Sequence, residues 1–204
     1  MSVLDTLKKE HLLVRRYLDN IEVALDLMHK GGEVPEQFFN LAVDFSRNFM
    51  DKYHHFKEEY VIFLKLAEKK AGELDPQIVS LRDQHERGRS LVKSILRSVP
   101  GYIKKEEIAT AKLEENLGFF HYLQKQHLNR ENHIFYPMVR KTFSDEEMAE
   151  FEAEFDKDAE RYPIDMFKKS EQTINEIAEV LKAKFGAQYR DKLEEVFNAR
   201  KHDE

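Results

Sequence analysis

The stretch His55-Phe56-Lys57-Glu58-Glu59-Tyr60-Val61-Ile62-Phe63 reads H-x-x-x-E-x-x-I-F, and the stretch His127-Leu128-Asn129-Arg130-Glu131-Asn132-His133-Ile134-Phe135 reads the same. The second copy begins 72 residues after the first. A single histidine precedes each copy, His11 by 44 residues and His85 by 42 residues. Because four histidines and two glutamates recur in two matching halves, the sequence predicts a two-metal site inside a helical bundle.

Apolar residues around these motifs recur in steps of three and four, as they do in amphipathic helices. With glycine and proline as end signals, the pattern predicts helices over about residues 3–30, 35–71, 76–99 and 104–141. Pro100-Gly101 is expected to end the third helix, and Pro137 to kink or shorten the fourth. The expected fold is all-α: an antiparallel up-down-up-down four-helix bundle with a helical C-terminal extension.

The C-terminal part of the chain is expected to form a helical unit of its own. A capping box at Ser144 begins this part, and Ile174, Ile177 and Leu181 form one apolar stripe. Residues 1–143 would then form the bundle with the di-metal site, and residues 144–204 the helical extension. The stripe must be covered by the bundle or by a second subunit, so a homodimer through the extension is one of two alternatives.

The six motif residues replace hydrophobic residues at core-facing positions of the predicted helices. Residues i and i+4 of a helix lie on one face, so His55 and Glu59 can reach the same metal pair, as can His127 and Glu131. Burying a carboxylate without a partner costs roughly several kcal/mol. Bound metal ions would compensate all six side chains together, with each carboxylate bridging two ions.

Composition and charge exclude several other classes of protein. The 204 residues include no cysteine, which rules out disulfides, thiolate metal sites and a cysteine nucleophile. A net charge of −6 gives no reason to expect a nucleic-acid partner. The charged N-terminus has no signal-peptide pattern, and no apolar run is long enough to span a membrane. We therefore expect a cytoplasmic protein without a membrane partner.

The order H…HxxxE…H…HxxxE on four helices resembles the hemerythrin-like, or HHE cation-binding, domain over roughly residues 3–141. The resemblance implies a non-haem di-iron centre with two Fe ions and a bridging oxo or hydroxo group. Histidine and carboxylate ligands also suit Mn and Zn, so the choice of iron follows from the resemblance alone. Glu59 and Glu131 would bridge the ions, and the implied metal ligands are His11, His55, Glu59, His85, His127 and Glu131.

The sequence departs from the oxygen-carrying hemerythrins at one ligand position. Those proteins use five histidines, two of them four residues apart on the third helix. Here Arg89 lies four residues after His85, which argues against simple reversible oxygen carriage. Neighbouring side chains that could supply a further ligand are Glu58, Tyr53, His54 and Glu86.

Two classes of function fit the predicted site. One is a protein that binds and reacts with a small oxidant, namely O₂, peroxide or NO; if it turns over, it would be a peroxide- or NO-handling oxidoreductase. The other is a sensor or storage protein for O₂ or iron without turnover. A helical scaffold with a vestigial site is a third interpretation. Ferritin-like di-iron proteins need Glu-x-x-His pairs, and this sequence contains none.

Gly88 is an unusual residue for a core-facing helical position. It holds the place that Val14 holds in the other half of the repeat. Glycine there weakens the helix by about 1 kcal/mol relative to alanine. Two explanations remain open from the sequence: Gly88 leaves a pocket for a small ligand, or it permits close packing of two helices.

Overall fold

The computed structural model describes residues 2–159, 163 and 165–203, and this part of the chain is almost entirely helical. The helices are α1 (Val3–His29), α2 (Glu36–Phe45), α3 (Phe63–Lys69), α4 (Asp75–Ile103), α5 (Glu107–Arg130), α6 (Tyr136–Thr142), α7 (Asp145–Ala159), α8 (Met166–Phe185) and α9 (Ala187–Asp203). No strand occurs among the described residues, so the expected all-α class is confirmed. None of these helices contains a stretch long and apolar enough to cross a bilayer.

The first helix begins and ends where its sequence signals predict. The Ser2 side chain accepts a hydrogen bond from the Asp5 backbone N–H, and the Asp5 carboxylate accepts one from the Ser2 N–H. After the last turn, Gly31 adopts a φ of 81°, which glycine tolerates without steric cost. Within these limits the 27-residue helix buries an apolar face along its whole length.

The second and fourth predicted helices contain π-helical segments that the apolar pattern did not indicate. Two such segments, Ser46–His55 and Glu58–Ile62, lie between α2 and α3, and a third, Glu131–Phe135, joins α5 to α6. A π turn closes its hydrogen bonds from i to i+5, so it holds more residues than an α turn and rotates the side chains that follow. Pro137 lies in the first turn of α6, where its missing N–H is tolerated.

Helix α4 is longer than predicted, because it continues through Pro100-Gly101 to Ile103. The expected end at residue 99 is therefore wrong. Gly101 permits close packing instead: a Cβ added there would lie 2.4 Å from the Cβ of Ala109 on α5. The chain turns only at Lys105, whose φ is 61°.

Two apolar clusters fill the interior and leave a layer between them. On α1, Leu7 belongs to one cluster and Val14 to the other. On α4, Leu81 belongs to the cluster of Leu7, and Val92 belongs to the cluster of Val14. His11 lies between the two α1 residues, and its counterpart in the repeat occupies the same place on α4. The motif residues therefore lie in a polar layer with apolar packing on both sides.

The C-terminal extension packs against the rest of the same chain. Its apolar stripe, Ile174, Ile177 and Leu181 on α8, is buried in the cluster that contains Val14. On α9, the Tyr189 hydroxyl donates a hydrogen bond to Asn20 Oδ1 of α1 at 3.0 Å. Within this chain the bundle covers the stripe. A homodimer through the extension stays a prediction.

This packing predicts that the extension contributes to the stability of the whole fold. Ile177 is fully buried, whereas its neighbour Glu176 is exposed. We expect Ile177→Ala to lower the free energy of unfolding by about 2–5 kcal/mol, as is typical for truncating a buried isoleucine. Glu176→Ala is the matched control and should change it by less than about 0.5 kcal/mol. Urea unfolding followed by circular dichroism measures both; equal effects would contradict the packing.

Candidate metal centre

Seven buried side chains converge in the polar layer, and they form two groups that share Glu58. The first group brings ligand atoms of four residues within 4.8 Å of one another: His11, His54, Glu58 and Glu131. The second group does the same with His55, Glu58, His85 and His127. Glu131 reaches both groups, because one of its oxygens lies 3.3 Å from His11 Nε2 and the other 3.1 Å from His127 Nε2.

The π segments explain how two adjacent histidines reach the same centre. His54 and His55 end the first π segment, and Glu58 begins the second. Neighbouring residues of a regular α-helix point about 100° apart, which separates them on different faces. Here all three side chains are buried. Together with the widened turns, this part of the chain provides three inward-facing donors.

Glu58, rather than Glu59, occupies the place of the carboxylate in the first half. The sequence contains two overlapping H-x-x-x-E pairs, His54 with Glu58 and His55 with Glu59, and the I-F extension of the repeat aligns only with the second. In the structure Glu59 lies outside both groups of donors. The expectation that Glu59 bridges the ions is at odds with this position, because the π turns shift the inward-facing register by one residue.

Glu59 instead contacts the outer edge of a histidine. One of its carboxylate oxygens lies 2.6 Å from His85 Nδ1 and 2.7 Å from Arg89 Nη2. Burial alone would raise the pKa of Glu59, but the hydrogen bonds from His85 and Arg89 lower it below its usual range. An ionised carboxylate that accepts a proton from Nδ1 fixes both the tautomer and the orientation of the ring.

Three other histidines are held by oxygen acceptors in the same manner. In each, Nδ1 faces the side-chain oxygen of a neighbouring residue, so Nδ1 carries the proton and Nε2 presents a lone pair to the centre. The acceptors are Asn132 for His11 at 3.0 Å, Glu10 for His54 at 2.9 Å and Gln84 for His127 at 2.9 Å. Glu10 is itself buried and paired with Lys57.

The polar atoms at the centre lack the partners that burial demands. Among the described residues, His55 Nδ1, Glu58 Oε2 and both carboxylate oxygens of Glu131 are buried without a hydrogen bond. Two pairs of Nε2 atoms face each other at 3.0 Å, one between His11 and His54 and one between His85 and His127. Two nitrogens this close need either a proton shared between them or a metal ion bound by both. The donor set therefore fits metal ions.

Burial lowers the pKa of His85, but hydrogen bonds to Glu131 and Glu59 raise it above its usual value. For His54, His55 and His127, burial prevails and keeps the rings in the neutral form that binds metals. It lowers the pKa of His54 to about 4 and that of His127 to about 3. Burial, followed by repulsion from Glu131, raises the pKa of Glu58 well above its usual range. A divalent cation would relieve this repulsion between the two carboxylates.

The further ligands suggested by the sequence divide into two sets. His54 and Glu58 lie within the groups. His54 is thus a fifth histidine, but it comes from the second predicted helix and not from the position of Arg89 on the third. Tyr53 packs against the apolar core instead. Glu86 is mostly exposed and pairs with Arg89 at 2.7 Å. Neither of these two residues belongs to a group of donors in the described part of the chain.

Tyr136 is a site residue that the sequence analysis missed. Its hydroxyl donates a hydrogen bond to Glu58 Oε1 at 2.7 Å and lies 3.1 Å from His11 Nε2. Burial raises the pKa of Tyr136 well above its usual value, which keeps the hydroxyl protonated as a donor. The repeat gave no signal for it, because the equivalent residue of the first half is Leu64, which is exposed.

Comparisons with known proteins agree with this donor set. Residues 2–139 match the family model of the hemerythrin HHE cation binding domain. Three uncharacterized proteins, one of Mycobacterium bovis and two of Mycobacterium tuberculosis strains, are each 25% identical over 157 residues. The aligned region is 77% of this chain and 61% of each relative, so the chain spans less than two thirds of their length. No solved structure matches it.

The family match contains every donor of both groups. It covers more than half of the chain, and the residues within it bring histidine and carboxylate donors together at buried positions. These are the ligand types that hold cations such as iron in proteins. The chain therefore belongs to the hemerythrin HHE cation-binding family.

Proposed function

We propose that the seven converging side chains hold two iron ions inside an antiparallel four-helix bundle. Short connections at residues 30–35, 70–74 and 104–106 favour the antiparallel order of consecutive helices. Compared with the ligands predicted from sequence, Glu58 takes the place of Glu59 and His54 is added. The proposed ligands are His11, His54, His55, Glu58, His85, His127 and Glu131.

The convergence of unpaired buried donors is the observation that carries this proposal. A helical scaffold with a vestigial site would gain stability by replacing such atoms with apolar ones. Yet the centre keeps five imidazoles and two carboxylates, and hydrogen bonds behind four of the rings fix their tautomers. Burying these side chains costs free energy when no metal is present, and metal binding offsets that cost.

The function that this centre supports best is binding and reaction of a small oxidant: O₂, peroxide or NO. Iron supplies the redox chemistry and the Lewis acidity when it is bound. The chain supplies the rest: Glu58 and Glu131 would bridge the ions and balance their charge. The Tyr136 hydroxyl holds one oxygen of Glu58 by a hydrogen bond. Two apolar clusters pack on both sides of the layer and limit its contact with water.

His54 changes the argument about reversible oxygen carriage. The sequence argued against it because a fifth histidine was absent from the third helix. With His54 in the first group, five histidines are available, and that objection no longer applies. Both reaction with an oxidant and reversible binding without turnover, as in an O₂ sensor or store, are compatible with this ligand set.

Metal analysis combined with optical spectra tests the proposal. Protein prepared with iron should contain about two irons per chain, and Mn or Zn offered together with iron shows whether the site prefers another metal. Addition of peroxide to the reduced protein should change the spectrum in a stable manner. One iron or none per chain would contradict the di-iron centre. Oxygen uptake that reverses under vacuum, with no response to peroxide, would favour the sensor or storage alternative.

A further inference from the structure

A cavity of about 160 Å³ adjoins the second group of donors. His55 and His85 form part of its wall, so a molecule in the cavity would lie beside the proposed metal centre. The exposed residues Arg47 and Lys93 also line it, so it reaches the surface. One water needs only roughly 15 Å³ of such space, and the cavity can therefore admit a small molecule together with solvent.

Gln124 places an unsatisfied amide in the wall of this cavity. The side chain is 2% exposed, and its Oε1 is buried without a hydrogen-bond partner. Gln124 lies one turn before His127 on α5, at a position where the neighbouring turns carry apolar residues. A buried amide oxygen without a partner is unfavourable, so a water or a ligand that carries a hydrogen-bond donor has to complete its hydrogen bonds.

Gly88 is the residue that makes room for this amide. A Cβ added at Gly88 would lie 2.6 Å from Gln124 Nε2, which is too close for any side chain to be added without moving the amide. Both explanations left open by the sequence thus apply at once, since Gly88 lines the cavity and also permits a close approach from α5.

From these features we infer that the cavity binds hydrogen peroxide beside the metal centre and that Gln124 is the residue that selects it. The inference rests on the proposed function and chooses among its three candidate oxidants. Hydrogen peroxide both donates and accepts hydrogen bonds, so it can satisfy either end of the amide. O₂ and NO carry no proton and cannot donate to Oε1.

The test compares Gln124→Leu with the control Gln126→Leu, which makes the same substitution at an exposed position of α5 outside the cavity lining. Peroxide affinity is obtained from the concentration dependence with which peroxide oxidises the reduced, iron-loaded protein, and NO affinity from an optical titration. Gln124→Leu should weaken peroxide binding about tenfold, as expected for losing one buried hydrogen bond. It should leave NO binding within about twofold, and Gln126→Leu should change neither affinity.

Metal-free protein provides a second measurement that does not depend on reactivity. Leucine replaces an unpaired buried amide by an apolar group, so Gln124→Leu should raise the thermal midpoint of the metal-free protein. Gly88→Ala is the second variant: it should displace the amide and weaken peroxide binding. Its thermal midpoint should be at least that of the wild type, because alanine favours the helix.

Three results would overturn the inference. The first is wild-type peroxide affinity in a Gln124→Leu protein that loads two irons. The second is a lower thermal midpoint of metal-free Gln124→Leu, which would show a structural role for the amide. The third is an equal loss of NO and peroxide binding. Failure of the wild-type chain to load iron would instead contradict the proposed function, so the two can be told apart.

Discussion

Replacing Glu58 by glutamine is expected to abolish two-iron loading, whereas the same change at Glu59 is expected to preserve it. The Glu58 side chain is fully buried and belongs to both groups of donors. A neutral amide there cannot bridge two cations or balance their charge. Among the proposed ligands, Glu59 contacts the outer nitrogen of His85, and its second partner is Arg89. Loss of such a supporting contact typically weakens metal affinity by about 10–100-fold without removing a site.

Iron quantitation after dialysis measures the difference between these variants. Glu58→Gln should retain fewer than one iron per chain, and Glu59→Gln about two at saturating iron. The two residues are adjacent and the substitutions identical, so each variant is the control for the other. Loss of iron in Glu59→Gln with full loading in Glu58→Gln would restore the assignment made from the sequence repeat and contradict the arrangement of the π turns.

Iron is also expected to raise the thermal midpoint of the wild-type protein by about 8–16 °C. Free iron at about 1,000 times its dissociation constant adds roughly 4 kcal/mol to the free energy of unfolding, and about 2–4 °C accompanies each kcal/mol in a chain of this size. The physical reason is the cluster of unpaired lone pairs and carboxylate oxygens at the centre, which only a cation satisfies.

Histidine variants show whether this stabilisation comes from the proposed centre. His85→Ala removes a buried nitrogen of the second group, and His11→Ala does the same in the first. Both should lose most of the shift that iron produces. His29→Ala is the control, because that side chain is largely exposed and its Glu114 contact is 3.9 Å long. An iron-dependent shift that persists in both buried variants would place the metal elsewhere.

The sequence by itself determined the helical class and most of the site. Hydrophobic residues spaced three and four apart lie on one face of a helix, and the fold buries that face. This spacing can be read from the local sequence alone. Against that background, His11, His85, His127 and Glu131 stood out as polar residues at core positions, and the structure brings all four into the two groups of donors. The capping box at Ser2 likewise depends only on neighbours in the chain.

What the tertiary structure decided is the register of the helical run from Ser46 to Ile62. The sequence allows both His54 with Glu58 and His55 with Glu59, and a straight α-helix makes either pair equally possible. The π turns select the first pair for the centre and still bring His55 inward.

The contact between Gln124 and Gly88 also could not be predicted from the sequence. Their relation depends on the distance between α4 and α5, which no local pattern encodes. Spacing along a chain predicts which residues share a face of one regular helix. The turns at which a helix widens, and the atoms that then meet across helices, follow from how all the helices pack around a common centre.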